Sequence, residues 1–279
     1  MEGQNMAYEV LIATGRDDGA DADKKLEIAL VYNDELGNKQ VSDYVNPGDA
    51  SNRNDVWENG QLDICNPIRF YKNSVEITTD DFIGVMIAFS DKDWQLDTIW
   101  VTNHKTGKYR WKHADKFFGS KYNVGTTSDP YELALDDEVI DEVGLTRDYD
   151  DFTFVVTTQG GDNSYGTNDK VYYKLFDNTG CASQTARMEQ WGDQYEADES
   201  NTLPNFDTLY TKLNNNLTKV LIIKVGDDGW RPKYMTAAPT ILGADANSST
   251  FNLQDYMPPG EPSLDTHHNW MVAPSKAYE

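Results

Sequence analysis

The sequence predicts an all-β protein of two antiparallel β-sandwiches joined by an acidic connector, on three observations. Short stretches rich in Val, Ile, Tyr and Thr alternate apolar and polar residues with period two, the spacing at which one face of a strand meets a core. Gly, Asn, Asp and Pro separate these stretches, as turns require. The pattern of the first half also returns in the second, which points to one architecture used twice.

Taken in order, Tyr8 to Ile12 reads as the first strand, and a loop with Asp17, Asp18, Asp21 and Asp23 follows it. Leu26, Ile28 and Leu30 alternate as the next strand, and Val85 to Phe89 as another. "FSDKDWQLDTIWV" then sets Asp91 and Asp93 directly before Trp94, Leu96, Ile99 and Val101. Residues 120–151 have the composition of a connector, with Gly125, Pro130 and the acidic run Asp136, Asp137 and Glu138. Leu133, Leu135, Val139, Ile140 and Val143 suit a short docked helix within it. The first domain is therefore expected over 1–119 and the second over 152–279, the latter ending in a Pro-rich tail.

The second half repeats the first in register. Phe152 to Val156 and Val220 to Val225 read as strands, and "YGTNDKVYYKL" places Asn168 three residues before Val171, as Asp23 stands three before Leu26. In "KVGDDGWRPKYM", Asp227 and Asp228 precede Tyr234, which matches Trp94; further on, Phe251 matches Trp111. The separation between matched positions stays nearly constant.

Composition narrows the function. A length of 279 residues gives each of two domains enough chain for a core. The net charge of −23, from 47 acidic and 24 basic residues, excludes a basic stripe for nucleic-acid backbone and favours cations as partners. With 12% aromatic and 38% hydrophobic residues the chain should fold. No apolar run approaches the roughly 20 residues needed to span a bilayer. Met1 to Val10 has neither the cationic nor the apolar region of a signal peptide, so a soluble chain is expected and its compartment stays open. Cys65 and Cys181 have no partner at ligand spacing and read as two packed thiols.

The order of these motifs resembles the PLAT domain family, also called the lipoxygenase homology or LH2 domain. The residues that carry the likeness are Gly19-Ala20-Asp21-Ala22-Asp23, then Trp94-x-Leu96-x-x-Ile99-x-Val101, then Thr106-Gly107 followed by Tyr109 and Trp111. It covers roughly residues 7–118 and, more weakly, 152–272, so the second copy is divergent. Two departures stand out in the first copy: Asp21 and Ala22 replace the family's second Gly and its Thr, and its His-Asp pair is shifted into Ser90-Asp91-Lys92-Asp93. In the second copy Gly166 and Thr167 fit, but Asn168 supplies a neutral oxygen in place of the acid. The resemblance implies C2-like sandwiches of two four-stranded sheets, eight strands each. It also implies calcium at loops of one end, and docking on membranes or protein partners.

The residues reach calcium independently. Ca2+ takes about six to eight hard oxygen ligands, so Asp/Asn loops with Gly turns suit it. The first candidate set is Gly19, Asp21, Asp23, Asp91 and Asp93; the second is Gly166, Thr167, Asn168, Asp227 and Asp228. A solvated acidic turn remains the alternative. Trp57 and Trp230 stand in polar surroundings, where an exposed indole could enter a lipid interface or a partner's pocket. Catalysis finds no support: His104, His113, His267 and His268 lie in no nucleophile or metal motif, and no phosphate loop is present. The expected function is non-enzymatic, calcium-dependent docking on membrane head groups or a protein partner. Alternatives are a structural protein whose homo- or hetero-assembly calcium controls, and a carbohydrate-binding β-sandwich.

Overall fold

The computed structural model describes residues 7–16, 26–51, 56–91, 93–137, 147, 149–160, 166–188, 195–196, 200–203, 211–240, 248–257, 263–265 and 268–277. The chain is all-β, with no α-helix among these residues. It divides into two compact units, Met1–Glu138 and Val139–Glu279.

The first unit contains β1 (Tyr8–Thr14), β2 (Leu26–Asn33), β3 (Lys39–Val41), β4 (Leu62–Ile68), β5 (Tyr71–Lys72), β6 (Val75–Glu76), β7 (Phe82–Phe89), β8 (Trp94–Asn103), β9 (Tyr109–Phe118), β10 (Tyr131–Ala134) and β11 (Asp136–Asp137). One sheet runs β11-β9-β8-β1-β4 and another β10-β7-β2-β3, while β5 and β6 pair as a hairpin. The second unit contains β12 (Phe152–Thr158), β13 (Lys170–Asp177), β14 (Ala186–Met188), β15 (Ser200–Leu203), β16 (Leu217–Val225), β17 (Pro232–Pro239), β18 (Ser249–Asn252) and β19 (Trp270–Pro274). Its sheets run β18-β17-β12-β15 and β19-β16-β13-β14, all pairings being antiparallel. Apart from β11 and the β5–β6 hairpin, the two units share one strand order.

Period-two alternation decides which residues build each core. Val10 and Ile12 of β1, Leu26, Ile28 and Leu30 of β2, and Val85 and Ile87 of β7 join one apolar cluster. Phe154 and Val156 of β12, Val171, Tyr173 and Leu175 of β13, and Val220 and Ile222 of β16 join the other. Full burial of such a side chain contributes about 1.5–3 kcal/mol, so each cluster is the main stabilising term of its unit.

The repeat extends to individual atoms. The hydroxyl of Ser42 accepts from the Leu30 amide at 2.8 Å, and that of Ser183 from the Leu175 amide at 3.0 Å. Asp34-Glu35-Leu36-Gly37-Asn38 and Asp177-Asn178-Thr179-Gly180-Cys181 form matching turns. In each the aspartate accepts from the amides two and four residues on, and the glycine holds a left-handed φ, 79° at Gly37 and 76° at Gly180. Only glycine adopts that conformation without steric cost.

Three expectations are corrected. Residues 131–137 are strands of the first unit, not connector: β10 pairs with β7, and Leu133 and Leu135 join the first core instead of a helix face. Asp136 and Asp137 form β11 beside β9 and pair with Lys112 and Arg110 at 3.1 and 2.9 Å, so part of the acidic run answers basic residues beside it. Val139, Ile140 and Val143 lie outside the described residues. The counterpart of Trp94 is Trp230 and not Tyr234, because Trp94 donates its indole N–H to Thr14 and Trp230 donates to Thr158, each at 3.2 Å. Trp111 then corresponds to Thr250, one residue before Phe251: Trp100 lies between Leu11 and Trp111, and Thr236 between Val155 and Thr250. Cys65 and Cys181 are buried thiols that form no disulfide, and burial raises the pKa of both.

Candidate functional site

In the first unit the acidic loop is held at both of its ends. β1 leaves its sheet at Gly15, whose amide donates to the Gln95 carbonyl at 2.8 Å and whose carbonyl accepts from the Gly60 amide at 2.9 Å. A Cβ on Gly15 would overlap the Gln95 side chain, so a larger residue there would have to displace that side chain. The chain re-enters at Leu26, paired directly with Phe89. Asp91 and Asp93 join β7 to β8, between Phe89 and Gln95. The two anchors of the β1–β2 segment therefore flank the loop that carries these two aspartates. Gly19, Asp21 and Asp23 belong to that segment and lie outside the described residues.

Asp91 and Asp93 are already engaged. The Asp91 carbonyl accepts from the Ser120 amide at 3.0 Å, and the Asp93 carboxylate meets the Lys121 ammonium at 2.7 Å. That hydrogen bond, then one with Tyr122, raises the lysine pKa. The pair is exposed enough for solvent to screen it, so it can exchange partners.

The second unit builds its loop end differently. Gly166 passes against the Tyr195 carbonyl, where a Cβ would lie 2.9 Å from the oxygen. Thr167 donates its amide to the same carbonyl at 3.2 Å, and its hydroxyl accepts from the Asp169 amide at 3.0 Å. Asn168 is exposed, as are Asp227 and Asp228. The side chain that gathers this end is Asp169. One of its oxygens accepts from the Lys224 ammonium at 2.6 Å and from the Asp228 amide at 2.8 Å. Neither Asp169 nor Lys224 was singled out from the sequence. The available signal was a lysine at a core-facing position of the apolar run "KVLIIKV".

Trp57 and Trp230 are not surface indoles. Both are fully buried, with relative exposures of 1% and 0%. Trp57 lies with its ring centroid 6.2 Å from that of Trp94, and its amide donates to Asp63 at 2.8 Å. Trp230 packs on Tyr195 at 5.1 Å. Their polar neighbours in sequence do not set the direction of the ring, so neither indole is available for insertion.

Among the described residues no three His, Cys, Asp or Glu side chains converge as a metal-ligand set. One grouping has the composition of a hydrolytic triad: Thr98, His113 and Asp97. Both oxygens approach the same ring nitrogen, however. Nδ1 of His113 lies 3.2 Å from the Thr98 hydroxyl and 3.1 Å from Asp97. A base that takes a proton at one nitrogen while a carboxylate orients the other needs the two partners on opposite sides of the ring. No helix of the described residues is long and apolar enough to cross a membrane. Comparison with protein-family models finds no match to this chain, and comparison with curated protein sequences finds none either.

Proposed function

We propose that the chain is a non-enzymatic pair of PLAT-like β-sandwiches, each built on the eight strands the units share, in which the loop end of the first unit binds calcium and docks on membrane head groups or a protein partner. The sandwich reading is supported by the shared strand order and by cores that draw on both sheets of a unit. The calcium reading rests on one observation. The hydrogen-bonded anchors at Gly15 and Leu26 flank the Asp91–Asp93 loop, and the sequence between those anchors carries Asp17, Asp18, Asp21 and Asp23.

The donor chemistry fits a hard cation, since carboxylates and main-chain carbonyls are the oxygens calcium prefers. Asp91 and Asp93, with Asp21 and Asp23 from the neighbouring segment, would hold the ion, and Lys121 would release Asp93 to it. Like charges gathered at one end repel, and a divalent ion removes that repulsion. The bound ion can then bridge to an anionic group on the partner.

Calorimetry on chelator-treated protein tests the proposal. Calcium should bind with measurable heat and raise the melting temperature, by the equivalent of about 2.7 kcal/mol at a hundredfold excess over Kd. Asp91→Asn/Asp93→Asn should lose most of that response, and anionic vesicles or a captured partner should be retained only with calcium. Melting curves identical in chelator and in millimolar calcium would defeat the reading.

A further inference from the structure

The last core-facing residue of β16 is a lysine. Lys224 pairs with Val171 in register, and Phe89 pairs with Leu26 at the same point of the first unit. The equivalence is fixed independently by the serine hydroxyls that cap Leu30 and Leu175, four residues further along each strand. Phe89 is an ordinary core residue, buried with its ring 5.7 Å from that of Trp94. The Lys224 side chain is just as buried, at 0% exposure, and carries a charge.

A buried ammonium persists only where its charge and N–H groups are answered. Here it donates to the Asp169 carboxylate at 2.6 Å and to the Gly226 carbonyl at 2.9 Å. Gly226 holds a φ of 147°, and a Cβ there would overlap the Asp169 carboxylate, so the glycine lets the acid reach the lysine. The Asp228 amide completes the carboxylate's contacts from the following loop. One carboxylate and one main-chain carbonyl thus converge on a cation at the loop end. They are the same kinds of oxygen that would gather around a metal ion.

We infer that Lys224 is the built-in cation of the second unit, its ammonium holding the β12–β13 and β16–β17 loops together without metal, so that calcium control belongs to the first unit alone. The last clause rests on the function proposed above; the role of Lys224 does not. The sequence-derived set Gly166, Thr167, Asn168, Asp227 and Asp228 then frames an ion pair. Gly166 and Thr167 pack against the Tyr195 carbonyl, the Thr167 hydroxyl and the Asp228 amide hold Asp169, and Asn168 and Asp227 face solvent.

Hydrogen exchange on the full chain, with chelator or millimolar calcium, tests this in one experiment. In the wild type, amides 226–230 should be protected equally in both conditions. Lys224→Met should raise their exchange by roughly tenfold or more, because Asp169 is left without its counter-charge. Lys224→Met/Asp169→Asn removes the stranded charge as well and should recover most of the protection. Calcium-dependent protection of 226–230 in the wild type would overturn the inference, and so would unchanged exchange in Lys224→Met. Should Lys224→Met unfold the second unit, the double variant decides: recovered folding supports charge balance, and an equally unfolded double variant overturns it. Amides 94–97 and 120–126 report the first unit in the same samples. A calcium-blind first unit beside the expected pattern at 226–230 would refute the calcium reading and leave the role of Lys224 standing.

Discussion

β7 and β16 hold the same place in their sheets, yet the last core-facing residue is Phe89 in one and Lys224 in the other. The first unit closes its core there with aromatic rings: Phe89 lies 5.7 Å from Trp94, and Trp94 lies 5.8 Å from Phe118. The second closes it with an ion pair and a smaller ring contact, Tyr195 on Trp230. A strand that ends inside a core must finish with an apolar residue or bring the partner of its charge along. The exchange is matched in sequence, since the residue two before Leu26 is Lys24 and the residue two before Val171 is Asp169.

The largest effect should come from forcing one solution onto the other unit. Phe89→Lys buries an ammonium where the sequence offers Lys24 in place of an aspartate, and should destabilise the first unit by about 3–5 kcal/mol. Urea unfolding, with exchange in β2 and β7 as the local probe, measures it. Adding Lys24→Asp should recover part of the loss, and a Phe89→Lys protein as stable as the wild type would break the comparison.

A smaller, symmetrical effect should come from the indole hydrogen bonds, which the two units share. Thr14→Val and Thr158→Val each leave a buried indole N–H without its acceptor and should cost about 1–3 kcal/mol. Unfolding free energies that differ strongly between the two variants would show that the shared geometry is not shared energetically.

The smallest effect separates two buried tyrosines. Tyr8 donates its hydroxyl to the Thr79 carbonyl at 2.7 Å, whereas the Tyr195 hydroxyl has no hydrogen-bond partner among the described residues. Tyr8→Phe should cost about 1 kcal/mol and Tyr195→Phe close to nothing. Burial, the first cause in each case, raises both pKa values well above the usual 10.0. The stability these groups contribute is complete below about pH 10 and falls as the pH rises beyond it, because the unfolded phenol ionises first. Either phenylalanine variant should flatten that alkaline loss, as denaturation midpoints between about pH 9 and 11 would report.

The alternation that marks β1, β2, β7, β12 and β16 is legible because alternate residues of each strand enter one apolar cluster. Leu133 and Leu135 carried the same signal, two residues apart, but Val139, Ile140 and Val143 just downstream suggested a helical stripe over a strand. A nearly constant separation between the halves puts Tyr234 opposite Trp94, but loops of unequal length make the separation shorter at β8 than at β2, so the counterpart is Trp230. The candidate site was legible as charge and illegible as pairing. An acidic loop shows its carboxylates plainly, but nothing local in the sequence says that Lys121 meets Asp93 or that Lys224 meets Asp169. The first contact closes the β8–β9 hairpin, and the second joins residues 55 positions apart in the chain.

Two tandem units with the same strand order face a hazard during folding, since a strand of one can dock where its counterpart in the other belongs. The core-end ion pair discriminates between the two outcomes. If β2 settled beside β16 in place of β13, Lys224 would be buried next to a strand preceded by Lys24, with no carboxylate at the required position. If β13 settled beside β7, Asp169 would meet the ring of Phe89. Either hybrid would strand a charge, so the strand-end chemistry that distinguishes the units would also disfavour an exchange of strands between them.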